Sequence, residues 1–506
     1  MTANPRRAVG LLIFLTTILR LAWASALEPS NDEAYHYLYT IHPDWSYFDH
    51  PPMTAWLEKL GLLICGGVVN TLSLRLAFIL LFAGSTWILF RWTARWYGEP
   101  AGFWAAVALN LSGYFTAFGG IFALPDSPFL FFALLTYWQA SEAVLGPPRL
   151  RTWLFVGLGF GGALLSKYHG ILLPAGVVLY ALVTSKDRKL LWSPGPYLAV
   201  LIGLLMFMPV VLWNANHEWA SFLFQGGRAK SQVTPFLHEG PVKWFFGPML
   251  YLLPWIWFWL VVEMVRRVRH FGSLVGIERL LICLTFVPLA LFFVVSGLSR
   301  DVLLHWPLVG FLPLYPLVGA RWDRLRLEWP IAFPWLLRSW ILAIFALGAV
   351  ILAQAWYGLI KFPGKDPAAD ICGWASVAKE LDRRHLLDDP DTFLITNIWY
   401  DSGQLAFAVR NRLPVVCYNS LDARGFAFWS RPEDWVGKTG YLVIAEEPLA
   451  SRPDLFVMEL EREKIFTRIE LVAEFTMDRG GNPFRKVRVY RCEKQRIPYQ
   501  FRYKHD

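Results

Sequence analysis

The chain has 506 residues, of which 55% are hydrophobic and only 17% charged, against about 25% charged for an average soluble domain. Charges are sparse to about residue 358 and dense after it, which excludes a large soluble enzyme and points to a polytopic membrane protein with a soluble tail. The net charge of +9 comes from short basic loops between apolar segments, with no Lys/Arg-rich tract interleaved with aromatics, and this argues against a nucleic-acid binder.

A membrane-spanning helix needs about 20 mostly apolar residues. Eleven segments qualify, at about 8–27, 71–90, 101–118, 127–145, 152–166, 170–184, 197–213, 245–265, 279–297, 303–319 and 334–356. The first is too long for a signal-peptide core. It reads as a retained helix, although Ala22-Trp23-Ala24-Ser25-Ala26 loosely resembles a cleavage site. The fifth and sixth are short and also read as one bent unit, which would reverse the orientation of everything after them. Loop charges support eleven. With Arg6 and Arg7 on the inner side, each later inner loop is basic: Arg91 and Arg95; Arg149 and Arg151; Lys186, Arg188 and Lys189; Arg266, Arg267 and Arg269; Arg321, Arg324 and Arg326. That is the positive-inside pattern, and an odd number of spans places the tail outside.

The first outer loop, 28–70, is acidic and aromatic. It opens with Ser30-Asn31-Asp32-Glu33-Ala34-Tyr35 directly after the first span, and ionisable residues at a bilayer are costly and usually functional. Asn31 and Asp32 also serve as good caps for a helix starting near Ala34, and Glu33 as a first-turn acid favoured by the helix dipole. Residues 53–64 are amphipathic and too short to span, so they are expected to lie in the interface with Trp56 and Lys59 at its surface. A second acidic site, Pro125-Asp126-Ser127-Pro128, opens the fourth span, where Asp126 again doubles as a cap. Lys167 ends the fifth span, a position that suits interfacial snorkelling.

After about residue 359 the texture is that of a small α/β domain. Strands are expected at Thr392–Ile398, Pro414–Tyr418, Tyr441–Ala445, Ile469–Phe475 and Val487–Cys492, and helices at 402–410 and 454–464. Asp388-Asp389-Pro390-Asp391 reads as a solvated turn rather than a nucleotide-metal site. Cys65, Cys283, Cys372, Cys417 and Cys492 show no metal-binding spacing. A disulfide within the tail is open, but no pair is selected.

Four ordered motifs stand out: Asp32-Glu33-Ala34-Tyr35; Tyr47-Phe48-Asp49-His50-Pro51-Pro52; Pro125-Asp126-Ser127-Pro128; and Ser166-Lys167-Tyr168. Together they resemble the membrane glycosyltransferases of the GT-C superfamily, nearest to the bacterial family 39/83 type. That group includes protein O-mannosyltransferases and the aminoarabinose and galacturonosyl transferases of lipid A. The motifs span about residues 30–230, and the stretch from Trp213-Asn214 to Arg228 is similar as well. The resemblance implies a mostly α, polytopic GT-C fold of about eleven transmembrane helices over 1–358, with a catalytic outer loop, and a small extracytoplasmic α/β domain over 359–506. It implies a bacterial cytoplasmic (inner) membrane location with the active site and tail on the extracytoplasmic side.

The implied reaction moves a hexosyl, pentosyl or uronosyl group from a polyprenyl-phosphate donor to a hydroxyl of a lipid, glycan or protein. No nucleotide cofactor is expected, in keeping with the lack of a Gly-rich phosphate loop. Such an attack needs a carboxylate to take the hydroxyl proton, and the resemblance assigns this to Asp32, with Asp126 as the second essential acid and Glu33 as support or metal ligand. The leaving phosphate needs cationic stabilisation, for which Lys167, Arg228 and His50 are the candidates. Asp49-His50 stand where the aminoarabinose transferases look like Glu-Lys, which leaves open whether the lipid phosphate is recognised alike. A divalent ion held by Asp49 and His217 is the one cofactor to consider. Asp301 and His305 could line the donor site or simply place charge at a helix mouth. The competing class is a transporter or flippase of lipid-linked sugars, which would need a polar path and repeated broken helices through the membrane.

Overall fold

The computed structural model describes residues 4–230, 239–298, 302–362, 366–446 and 453–501. The chain divides into two compact units. One comprises Met1–Ala22, Trp45–Leu57 and Arg75–Phe345; the other comprises Trp23–Asp44, Glu58–Leu74 and Ala346–Asp506. The second unit thus takes in more than the tail beyond 358, because the helix Asn31–Ile41 belongs to it.

Each of the eleven apolar segments is helical, as a bilayer demands, since hydrocarbon offers backbone N–H and C=O groups no partner outside the segment. Five helices are long and apolar enough to cross a membrane: Pro5–Ala26, Thr71–Tyr97, Pro194–Asn216, Gly276–Leu298 and Ala332–Tyr357. Pro194–Asn216 presents Leu201, Leu204, Leu205 and Leu212 outward, the apolar exposure expected of a lipid-facing surface.

Four of the expected segments are interrupted; the sixth begins as the 3₁₀ turn Tyr168–Leu172 before the helix Leu173–Val183. The third is Glu99–Asn110 followed by the short Gly113–Ala117. The eighth breaks at Leu253, whose φ is 70°, into Glu239–Leu252 and Pro254–Arg269; a residue before proline is disfavoured in the helical region. The tenth enters as a 3₁₀ turn, Trp306–Leu314, before the helix Tyr315–Glu328. Hydropathy averages over such breaks.

The second unit holds a five-stranded sheet. Its strands are β1 (Phe393–Thr396), β2 (Val415–Cys417), β3 (Gly440–Ala445), β4 (Phe466–Arg479) and β5 (Asn482–Gln495), in the order β2-β1-β3-β5-β4. β1 runs parallel to β2 and β3, while β5 runs antiparallel to β3 and β4. Parallel neighbours need a crossover, and the helix Trp399–Ala408 supplies it between β1 and β2. All five expected strands are present, but β4 and β5 extend well beyond 469–475 and 487–492. Their ends carry charged residues in register, such as Arg468 opposite Glu493, which a hydrophobic pattern does not register. A further helix, Trp374–Arg383, was not expected. Asp389 forms the anticipated turn, its carboxylate accepting from Asp391 N at 3.0 Å. Cys372, Cys417 and Cys492 are buried and free.

Candidate active site

Within the first unit, Asp126 opens the helix Asp126–Leu145, and no side chain caps that helix. The carboxylate is used otherwise. Lys167 leaves the end of Leu150–Ser166 in extended conformation, φ −157°, and its Nζ donates to Asp126 Oδ1 at 2.7 Å, with the two side chains only 10% and 19% exposed. Lys167 is therefore a buried, paired cation rather than a snorkelling one. Tyr114 hydrogen-bonds to Asp126 and His305 lies close enough to interact with its charge. The His305 ring stacks on Tyr114 at 5.3 Å and 18°. His169, with its Nδ1 buried and without a hydrogen-bond partner among the described residues, packs edge-on against Trp306 at 5.1 Å. These side chains line one small enclosed cavity of about 20 Å³, room for a water molecule rather than a sugar ring.

The residue after Lys167 ties this cluster to the Asp49-His50 segment. Tyr168 Oη and Ser221 Oγ are 2.6 Å apart, and Tyr168 also interacts with Asn214 and Ser46. Asn214 Oδ1 accepts from Phe222 N at 3.2 Å, and Gln225 Nε2 donates to the Asp49 carbonyl at 2.6 Å. The Phe48 and Phe224 rings meet at 4.7 Å. The Trp213–Arg228 stretch thus works as a clamp on the segment carrying Asp49 and His50. Asp49 is buried, and His50 lies within electrostatic reach of His169.

His217 stacks on the Trp213 ring at 4.0 Å, and its Nδ1 lies 2.7 Å from the Trp213 carbonyl. Donation from Nδ1 leaves Nε2 as the ring's acceptor. Among the described residues no three His, Cys, Asp or Glu side chains form a group that could hold a metal. The Asp49 and His217 pair by itself does not make up a metal centre, so no chemical step is derived through one. The side chain of Arg228 and all of Asp301 lie outside the described residues.

In the second unit, the helix Asn31–Ile41 is capped by Ser30, not by Asn31 or Asp32. Glu33 N donates to Ser30 Oγ at 3.4 Å, and Ser30 N donates to Glu33 Oε2 at 2.8 Å. This is a capping box. Glu33 is buried in it, while Asp32 is exposed and the capping box is made by Ser30 and Glu33. Sequence reasoning passed over Glu58. It is fully buried, and neither carboxyl oxygen has a hydrogen-bond partner among the described residues. Burial, and secondarily the charge of Glu33, push its pKa well above the ordinary glutamate range.

The profile of a family described as dolichyl-phosphate-mannose-protein mannosyltransferase matches residues 49–213, about a third of the chain, including Asp49, His50, Asp126 and Lys167. The chain is similar to the undecaprenyl phosphate-alpha-4-amino-4-deoxy-L-arabinose arabinosyl transferase of Pseudomonas aeruginosa UCBPP-PA14, at 29% identity over 290 residues, covering 56% of this chain and 51% of that one. It is also similar to the lipid A galacturonosyltransferase RgtD of Rhizobium johnstonii, at 25% identity, covering 65% and 67% respectively. The chain spans about half the length of the aminoarabinose transferases it matches. Among solved structures, ArnT from Cupriavidus metallidurans bound to undecaprenyl phosphate superposes with a TM-score of 0.64 at 16% identity, over 95% of this chain and 97% of that one. The fold is of the GT-C type with an appended C-terminal sheet domain.

Proposed function

We propose that this GT-C-type chain transfers a sugar from a polyprenyl-phosphate donor to a hydroxyl of a cell-envelope acceptor, on the extracytoplasmic face of a bacterial cytoplasmic membrane. The observation that carries the reading is the Lys167–Asp126 pair, a buried cation held at 2.7 Å where one apolar helix ends and another begins. A departing lipid phosphate needs a preorganised cation in a place shielded from bulk water, and a lone buried ammonium would not keep its charge without a carboxylate partner. The relatives' names support undecaprenyl phosphate as the carrier lipid, an aminopentosyl or uronosyl group as the cargo, and lipid A as the acceptor class.

In this reading the acceptor oxygen attacks the anomeric carbon, the bond from that carbon to the lipid phosphate breaks, and the hydroxyl proton passes to Asp32. Asp32 suits a base because it is exposed, whereas Glu33 is taken up by the capping box. Glu33 holds the first turn of that helix. Lys167, with His50 and Arg228, neutralises the leaving phosphate, and Asp126 orients Lys167.

The test is mass spectrometry of envelope lipids and glycans from cells carrying no protein, the wild type, or Asp32→Asn. One sugar mass should be absent without the protein and with Asp32→Asn, although the variant inserts and folds. Full sugar addition by Asp32→Asn would overturn the assignment of the base. Reporter fusions at residue 360 test the side, and a cytoplasmic signal would contradict the orientation.

A further inference from the structure

The second unit holds the acid-bearing helix from both sides of Asp32. Gln404, on the crossover helix Trp399–Ala408, is 1% exposed. Its Nε2 donates to the Pro29 carbonyl at 3.0 Å, to Asn31 Oδ1 at 3.0 Å and to the Asp370 carbonyl at 2.9 Å. Pro29 and Asn31 flank the capping residue Ser30, and Asn31 precedes Asp32. One residue earlier on the same helix, Gly403 lies against the next turn. A Cβ there would stand 2.7 Å from Tyr35 N and 2.9 Å from Ala34 C, so only glycine allows this approach. Tyr35 Oη in turn accepts from Gly425 N at 3.0 Å. Upstream, the Glu28 carboxylate accepts from Trp374 N and Ala375 N at 3.0 and 3.3 Å, capping the helix Trp374–Arg383.

Apolar packing would be enough to attach a helix whose buried face carries Tyr35 and Tyr39. A buried amide is not needed for that, and leaving one unsatisfied costs about 1–3 kcal/mol. Here the amide nitrogen is shared among three acceptors, and two of them, Pro29 and Asn31, bracket the cap of the Asp32 helix. An amide aimed in this way fixes the direction of the first turn, where Asp32 sits, and not merely the position of the helix.

We infer that Gln404 is a positioning residue for Asp32, and that the C-terminal α/β domain is part of the catalytic apparatus and not an accessory. The inference rests on the reading of Asp32 as base. Misorienting a base leaves donor binding alone and slows the chemical step, and small misplacements are amplified in rate.

The experiment compares purified wild type, Gln404→Leu, Asn31→Ala, Asp32→Asn and the double variant Gln404→Leu/Asp32→Asn in a transfer assay with polyprenyl-phosphate sugar, alongside thermal melting. Gln404→Leu is expected to lower kcat on the order of 10-fold with the donor KM within about twofold. Asn31→Ala, which removes one of the acceptors and leaves Gln404 in place, is expected to lower kcat in the same direction by less. The double variant should be no slower than Asp32→Asn alone, because both changes act on one step. If Gln404→Leu melts early, Asn31→Ala carries the comparison. Retained kcat in Gln404→Leu and Asn31→Ala, beside an inactive Asp32→Asn, overturns the positioning role and leaves the base in place. An active Asp32→Asn overturns the base itself.

Discussion

Lys167 donates to Asp126 across 2.7 Å, and the two residues, 41 positions apart in sequence, join the start of one apolar helix to the end of another. Removing either partner strands a buried charge, which costs about 3–5 kcal/mol, whereas replacing both by apolar groups of like volume is often neutral. Asp126→Asn and Lys167→Met should each lower the melting temperature in detergent, and the double variant Asp126→Leu/Lys167→Met should recover much of it. Transfer should not recover, because the cation for the leaving phosphate is still missing. Activity falling about 100-fold or more in all three, with stability restored only in the double variant, is the expected pattern. A double variant that transfers normally would remove Lys167 from the chemistry.

Glu58 supplies a pH test. Its folded pKa is raised by burial and by Glu33, so the folded state holds this proton more tightly than the unfolded state. Stability from this group is therefore greatest below the ordinary glutamate value of 4.5, and it declines as pH rises toward the raised folded value. Glu58→Gln keeps the shape and abolishes the titration. Its melting temperature should exceed that of the wild type at about pH 8, and the gap should narrow by about pH 5. A gap that is constant with pH, or that widens in acid, would show Glu58 to be ionised and partnered in the folded protein.

These two carboxylates show what the sequence could and could not reveal. Helix Met53–Ile64 buries Thr54, Ala55, Glu58, Gly61 and Leu62, a face at helical spacing that places Glu58 at its centre and was readable in advance. The cap was readable too, since Ser30 and Glu33 have the spacing of a capping box, although Asn31 and Asp32 competed for the position. The pairing of Asp126 with Lys167 was not readable, because it depends on how two helices meet and no local pattern encodes that. The apolar spans were legible because length and composition alone define them. The break at Leu253 was not, because hydropathy is blind to a single backbone dihedral. The assignment of chemical roles came from the resemblance, and nothing in residue spacing alone would have singled out Asp32 from Glu33.

Another buried acid lies in the helix Pro254–Arg269, apart from the proposed chemistry. Glu263 is fully buried and takes hydrogen bonds from Arg267 and, at 3.2 Å, from Arg266, while Arg267 also reaches Glu278 at 3.0 Å. Glu263→Ala leaves Arg267 with only Glu278 and should destabilise the protein by about 3–5 kcal/mol, read as a lower melting temperature and lower yield. Transfer per folded molecule should stay within about twofold of wild type, since no residue of this network is assigned to donor or acceptor. A large drop in kcat at unchanged stability would mean that this network reaches the chemistry.

Tyr168 connects the Lys167 cluster to the clamp on Asp49 and His50 through a hydroxyl 2.6 Å from Ser221 Oγ. Tyr168→Phe keeps the ring, which packs edge-on against Phe222 at 5.6 Å, and removes only the hydroxyl. A hydrogen bond of this kind contributes about 0.5–1.5 kcal/mol, or roughly two- to tenfold in an equilibrium. If the clamp holds the donor phosphate side of the site, that loss should fall on the donor KM, with kcat little changed. Ser221→Ala removes the same bond from the other end and should give a similar donor KM, and Tyr168→Phe/Ser221→Ala should be no worse than the poorer single variant. Kinetics with a purified polyprenyl-phosphate sugar decide it. A fall in kcat at constant KM would instead place Tyr168 in the chemical step, next to Lys167 rather than behind it.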